Sequence, residues 1–572
     1  MKVLLRVAGL IAVIFCGCEK LPTTDPPPAP LKAPTWFEDV TDRLGLDFTH
    51  DVGAVGQYQM PESVGSGLAF IDFDNDGRLD LYLVQNAGAD STARNRLFHQ
   101  ETDGRFRDVS TGSGLDVAGR GMGVAIGDVN NDGWNDVAVT EYAAVRLFMN
   151  EGKGAFREVT HDSGIHNPQW AVSACFIDYD RDGWLDLVVA NYIAYDPNRL
   201  CYDESGRRDY CGPKTFPPGT VTKLFHNRGT LSGPRFEDVT TESGIGALPG
   251  PALGVVCADF DGDGWPDIFV ANDGEPNRLW MNGKDGTFKD EAMTRGIAFS
   301  GMGQTQGNMG IGLADVNGDS TFDIFVTHLM EETHALWMQS PRGLFQDRTA
   351  ASGMARPHWH GTGFGTVLED FNNDGAPDAA IANGGVRRNK LWRPEARTIA
   401  AVGEFWAPYA ERNQLFANDG SGRFRDISLE NNPFCGTPRV ARGLVYGDVD
   451  GDGGLDLVVS NIASRARIYR NTAPSRGHWL RVRATDPRLG GRDAHGAEIT
   501  VRTGERGWTR WCNPGSSYAS SNDPAAHFGL GSATSVETIH VLWPDGLAEA
   551  FLGGSVDRQI VLRRGEGKMA EP

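Results

Sequence analysis

The chain has 572 residues and a formal charge of −21, from 54 basic against 75 acidic side chains. That length covers several domains or one large repeat array. Its 40% apolar and 9% aromatic residues exclude a disordered chain, and its acidity argues against a nucleic-acid binder, which needs a basic footprint to displace counterions. A cation is the better-matched partner. Glycine, at 73 residues, is about twice its average share and follows no Gly-X-Y period, which implies many tight turns in a repetitive all-β chain.

Residues 1–17 read as an export signal. Lys2 and Arg6 flank an apolar core over 7–15 that is too short for a bilayer, which takes about 20 residues. The run Phe15-Cys16-Gly17-Cys18 resembles the lipobox of bacterial lipoproteins, which implies cleavage before Cys18 and its acylation; an ordinary secretory signal is the alternative. Either way the mature chain is exported, lipid-anchored to a bacterial membrane or secreted. Residues 18–34 form a Pro-rich tether. Cys201 and Cys211 flank a polar excursion in an exported chain and are expected to pair. Cys175 and Cys257 lie in apolar runs and read as buried thiols, whereas Cys435 and Cys512 stay unassigned.

Residues 35–474 carry one pattern seven times, beginning with IDFDNDGRLDLYLV at Ile71 and ending with GDVDGDGGLDLVVS at Gly447. The leading aspartates are spaced 56, 50, 81, 56, 55 and 78. The two long intervals hold insertions, one around Cys201 to Cys211 and one around Arg387 to Arg412. A second motif keeps step: FEDVT at Phe37, FRDVS at Phe106, FREVT at Phe156 and their equivalents to FRDIS at Phe424. Runs such as NRLFHQ and TKLFHN lie between. Each unit therefore holds four short β runs, the arithmetic of a propeller blade. The fold expected is an all-β, seven-bladed β-propeller followed by a small β-rich domain over 475–572. The FEDVT run at Phe37 precedes every acidic loop, so it should complete the last blade and close the ring.

The loops place oxygen side chains at positions 1, 3, 5 and 9. These are Asp72, Asp74, Asp76 and Asp80; Asp128, Asn130, Asp132 and Asp136; Asp178, Asp180, Asp182 and Asp186; and Asp259, Asp261, Asp263 and Asp267. The last three are Asp315, Asn317, Asp319 and Asp323; Asp370, Asn372, Asp374 and Asp378; and Asp448, Asp450, Asp452 and Asp456. Two carboxylates about 4 Å apart repel by roughly 4 kcal/mol at an effective dielectric near 20, so a folded loop calls for a cation. Alternating oxygens with a glycine for the turn is how short loops wrap Ca²⁺. Up to seven Ca²⁺ sites are expected, the Asp315 loop weakest because Ser320 replaces the glycine. An EF-hand is excluded: its bidentate Glu at position 12 is here Leu83, Val139, Val189 or Val270. Metal-free Asp-Gly turns are the alternative.

The D-x-[DN]-x-D-G-x-x-D loops between strands resemble the FG-GAP/VCBS repeats of integrin-α-type propellers. GHWLRVRA from Gly477, HGAEITVRTG from His495, AHFGLGSA from Ala526 and VLWPDG from Val541 resemble the ASPIC/UnbV domain of the cartilage-acidic-protein family. Where that domain carries an Asn-Arg pair, this chain has Gly490-Gly491-Arg492-Asp493, so no role of that pair is carried over.

The residues leading into each innermost strand should ring the channel mouth opposite the loops: Gln57, Tyr58, Arg120, Trp170, Gln304, Gln306, His358, Trp359, His360 and Arg439. They suggest either a water-filled mouth or a ligand funnel with aromatic platforms. His358 and His360 make a poor metal set without a carboxylate, and no Ser/His/Asp spacing, nucleophile elbow or phosphate loop stands out. No catalytic residue is assigned. The expected function is binding or adhesion to an extracellular protein or glycan, with no nucleic acid and no membrane contact beyond a lipid anchor. The competing class is an extracellular enzyme working at the channel mouth.

Overall fold

The computed structural model describes residues 35–570 other than 218, 230–232 and 389–393. The signal, Cys18 and the tether lie outside the described residues. Seven four-stranded antiparallel sheets form the propeller. In the first blade the strands are Leu68–Ile71, Asp80–Leu83, Arg96–Gln100 and Phe106–Asp108. The innermost strands, such as Gly121–Gly127 and Ala171–Ile177, are buried along their whole length, which is why they read as continuous small and apolar runs. Each contacts the innermost strand of the next blade in turn, and that of the last blade contacts that of the first. The ring is closed.

Closure uses both ends of the propeller segment. Phe37–Asp39 pairs with Arg467–Asn471 as the outermost strand of the seventh blade, as the lone FEDVT run implies. A second device runs around the ring. The residue ending the third strand donates its side-chain amide to a loop carbonyl of the preceding blade: Asn150 to Phe73 at 2.9 Å, Asn227 to Val129 at 2.8 Å, Asn282 to Tyr179 at 2.9 Å. Asn418 and Asn471 repeat it toward Val316 and Phe371, and Gln100 reaches Val449 of the seventh blade at 2.7 Å. At the remaining seam Gln339 bonds within its own blade and Arg342 takes over, donating to the Asp259 carbonyl at 2.8 Å.

The C-terminal module packs two sheets around one core that includes Leu480, Ile499, Trp508, Phe528 and Trp543. One sheet centres on His478–Asp486; the other is a five-stranded sheet running from Arg506–Cys512 to Lys568–Ala570. The module sits on the acidic-loop face. Between its strands, segment 513–524 enters the propeller axis. Ser517 exchanges two backbone hydrogen bonds with Ile311, at 2.7 and 2.9 Å. Ser521 does the same with Leu68 and Phe70, at 3.1 and 3.0 Å. Gly67 and Gly123 leave room for it: a Cβ at Gly67 would lie 2.3 Å from the Ala519 carbonyl oxygen. Tyr518 packs among Met60, Met122, Trp170 and Phe364 in the axial core.

The disulfide Cys201–Cys211 is present, and Cys175, Cys257, Cys435 and Cys512 are buried free thiols. Both insertions fold over the mouth opposite the loops. Helix Met60–Val64, the Cys201–Cys211 excursion and helix Ala396–Trp406 meet there through Tyr58, Tyr210, Phe405, Trp406 and Tyr409. The axis is thus filled from both ends.

Candidate functional site

The seven acidic loops share one geometry. Positions 4 and 6 are left-handed in every loop, from Asn75 and Gly77 in the first to Gly451 and Gly453 in the last. Ser320 adopts the same conformation at φ 66° in place of glycine, so its loop keeps the common shape at the cost of a strained side chain. In six loops the first aspartate accepts backbone N–H groups from positions 5 and 6, as Asp72 does from Asp76 and Gly77, both at 3.0 Å; in the Asp178 loop Gly183 alone donates to it, at 3.0 Å, and the Asp182 N–H turns to Asp180. The ninth is a structural hub. Asp80 accepts from Gln100 at 2.7 Å and Phe73 at 3.3 Å, and Asp456 from Asn471 and Val449 at 2.7 and 3.0 Å. The other five repeat the pattern. Position 9 therefore ties the loop to the third strand as well as offering oxygen inward.

Burial pushes these carboxyls up: Asp80 and Asp186 to about 8, Asp178 and Asp370 to about 7, Asp128 and Asp448 to about 6. Neighbouring loop aspartates add to the effect at Asp178 and Asp370. Asp74 Oδ1, Asp178 Oδ1 and Asp261 Oδ1 are buried with no hydrogen-bond partner. In several loops the ligand-type oxygens lie within 4.8 Å of one another. An all-oxygen donor set with orphaned, desolvated carboxylate oxygens fits a hard cation.

The loops divide into two kinds by position 3. The four with Asp there also hold a cationic or imidazole side chain. His99 lies 3.2 Å from Asp74, His226 3.5 Å from Asp180, Arg295 3.0 Å from Asp261 and Arg470 2.6 Å from Asp450. The three with Asn use its amide instead: Asn130 donates to Asp132, Asn317 to Asp319 and Asn372 to Asp374, at 2.7 to 2.9 Å. The side chain thus matches the local count of carboxylates. His99 and His226 stand in the NRLFHQ and TKLFHN runs, a signal the sequence reading left unused. The C-terminal module adds Arg476 to Asp452 at 2.8 Å, and Arg492 to Asn131 at 2.8 Å, from the position where the sequence departs from the domain's usual pair.

The residues expected around an open mouth do not converge on one site. Trp170 is 2% exposed, inside an aromatic cluster with Tyr142, Tyr192 and Tyr195. Tyr58 packs on Tyr210 and Phe405, beside exposed Gln57. Arg120 is half-buried behind them. Gln304 and His360 are exposed; His358 is exposed with its backbone held by Asp426, and Trp359 donates to the Arg412 carbonyl at 3.1 Å. Arg439 pairs its backbone with Glu411, and Gln306 donates to the Thr333 carbonyl at 3.2 Å. Both expectations for the axis, a water-filled mouth and a ligand funnel, are corrected: the insertions supply apolar and aromatic surface that covers the mouth and is buried there.

That face nevertheless keeps an opening to one side, lined by Lys214, Asp273, Gly307, Glu332 and Arg387. Sequence reasoning missed these residues because they come from five separate connections with no shared motif.

Comparison with known proteins agrees with this architecture. The FG-GAP-like repeat model matches residues 72–139, 128–189, 259–326 and 370–459, and the ASPIC and UnbV model matches 488–569. Mouse (Mus musculus) cartilage acidic protein 1 is 30% identical over 362 residues, 54% of this chain and 54% of that protein. The human (Homo sapiens) protein is 28% identical over 411 residues, 61% of this chain and 60% of that protein. The chain spans little more than half the length of these relatives. A Burkholderia pseudomallei lectin structure aligns over 72% of this chain and 97% of its own at 11% identity and a TM-score of 0.42, too low to carry an argument. With seven loops of the repeat type, each between the first and second strands of a blade, and the C-terminal module docked on them, the chain belongs to the FG-GAP-repeat proteins that carry an ASPIC and UnbV domain.

Proposed function

We propose that this chain is an exported binding protein whose acidic loops hold Ca²⁺ and whose ligand is an extracellular protein or glycan. The observation that carries the metal part is the set of buried, unpartnered carboxylate oxygens, Asp74 Oδ1, Asp178 Oδ1 and Asp261 Oδ1, inside all-oxygen loops. Which residues would hold the ion follows from the loop: the side chains at positions 1, 3 and 5, with position 9 completing the set. Bound, the ion supplies charge neutralisation and cross-links the loop; the chain itself supplies the left-handed turns and backbone donors that aim the carboxylates inward.

The Cys201–Cys211 bridge supports an oxidising compartment. Lipid anchoring at Cys18 rests on the amino-terminal signal. Elemental analysis with calorimetry, with and without chelator, tests the metal part: no bound calcium and an unchanged melting curve would overturn it. The competing reading, an enzyme at this face, is favoured by one observation, two carboxylates, Asp273 and Glu332, lining the same lateral cleft.

A further inference from the structure

On the face away from the acidic loops, a cleft of about 410 Å³ opens beside the blocked axis, lined by Lys214, Asp273, Glu332 and Arg387. Beneath it Asp273, Leu329 and Arg387 also border a small space of about 40 Å³ among the buried side chains of Tyr192, Tyr210, Met309 and Phe364. The mouth of the cleft is polar, and the aromatic side chains beneath it are closed off from solvent.

The polar groups are built in. The Tyr192 hydroxyl, itself buried, donates to Asp273 Oδ2 at 2.6 Å. Burial pushes Asp273 up to about 6 against the Tyr192 hydrogen bond; the nearby Glu332 carboxylate adds to the rise, and the Arg387 and Lys214 charges oppose it. Glu332 is fixed by the Gly307 N–H at 2.9 Å and is also raised by burial. Lys214 and Arg387 stand exposed at the rim and make no ion pair among the described residues.

Glycines keep the space open. A Cβ at Gly307 would lie 2.9 Å from Leu329 Cγ and 3.1 Å from Asp273 Oδ1, one at Gly274 3.1 Å from Lys214 Cε, and one at Gly212 3.4 Å from an Arg387 guanidinium nitrogen. Gly274 also holds φ +76°, which excludes most side chains.

We propose that this cleft binds an acidic saccharide, its anionic group between Lys214 and Arg387 and its hydroxyls against Asp273 and Glu332. Two unpaired cations call for an anion, and Arg387 can take a carboxylate through two parallel hydrogen bonds. The carboxyls beside them call for hydroxyl donors, which an acidic peptide offers sparsely and a sugar offers in vicinal pairs. An apolar ligand would take water from Asp273 and Glu332, each of which accepts from a protein donor and has room for more, and from both cations without replacing its hydrogen bonds, which is costly. Nucleic acid is disfavoured by a chain of charge −21 that offers only two cations here.

The inference rests on the binding reading for its ligand class and is independent of the metal loops, which lie on the other face. Calorimetric titration at fixed calcium with galacturonate and glucuronate oligosaccharides, and with their neutral methyl esters, tests it. The acid forms should bind about tenfold or more tightly than the esters, with affinity falling as salt rises. Lys214→Ala and Arg387→Ala, both at exposed positions, should each cost about tenfold with melting curves unchanged. Failure of every acidic oligosaccharide to bind, equal binding of the esters, or unchanged affinity in both variants would overturn it. Loss of calcium binding with this binding intact would overturn only the metal reading.

Discussion

The hydroxyl of Tyr518 donates to the backbone carbonyl of Val64 at 3.0 Å, joining positions 454 residues apart. Tyr518 is fully buried and packs edge-on against Phe364 at 4.8 Å. The C-terminal module is thereby part of the propeller's axial core. Tyr518→Ala should cost about 3–5 kcal/mol through the cavity it leaves, and Tyr518→Phe about 1 kcal/mol through the lost hydrogen bond. Denaturant unfolding of both variants checks this, and wild type should unfold with module and propeller in one transition.

The seam amides give a second prediction. Asn150→Ala removes the donor for the Phe73 and Asn135 carbonyls in a buried site. It should lower stability by about 1–3 kcal/mol, and Asn227→Ala and Asn282→Ala should do the same. Thermal melts of the three variants are the measurement, and near-wild-type curves would count against the stitching.

Calcium should raise the melting temperature by mass action and chelation should lower it. The triple change of Asp259, Asp261 and Asp263 to Ala should loosen its blade without abolishing metal binding elsewhere. The same change at the Asp315 loop should cost less, because Ser320 pays for its left-handed conformation there. Ser320→Gly should stabilise by about 0.5–1 kcal/mol. Bound calcium per chain and calorimetric melts read all three.

Buried imidazoles set an acid limit, His50, His328, His334, His495 and His527 all being lowered by burial. His50 and His334 are held down to about 3 and about 4 by burial, below the 6.5 of a solvated ring. The His334 Nδ1 accepts the His328 N–H at 2.9 Å, which protonation would break. The unfolded chain then binds the extra protons, so stability is full above pH 6.5 and is lost as pH falls toward the folded values. The loss at pH 5 should reach up to about 2 kcal/mol for each ring. Melts at pH 7 and pH 5 should show a smaller drop in His50→Gln and His334→Gln than in wild type.

The blade count, the closing role of Phe37–Asp39, the Cys201–Cys211 pair and the loop aspartates were legible in the chain, because each is carried by local chemistry. Strand alternation, an aspartate–glycine turn and an apolar run before it are decided by neighbours in sequence, and seven copies in register leave one way to close. The filled axis and the lateral cleft were not legible. Segment 513–524 reads as a polar, glycine-bearing loop, and only the ring of innermost strands turns its backbone N–H groups toward the Leu68 and Ile311 carbonyls and its carbonyls toward the N–H groups of Phe70 and Ile311. Lys214, Asp273, Glu332 and Arg387 likewise belong to four different connections and share no spacing. Ring closure alone brings them together, because it is a tertiary event that sets which loops become neighbours, whereas periodicity reports only what each loop does by itself.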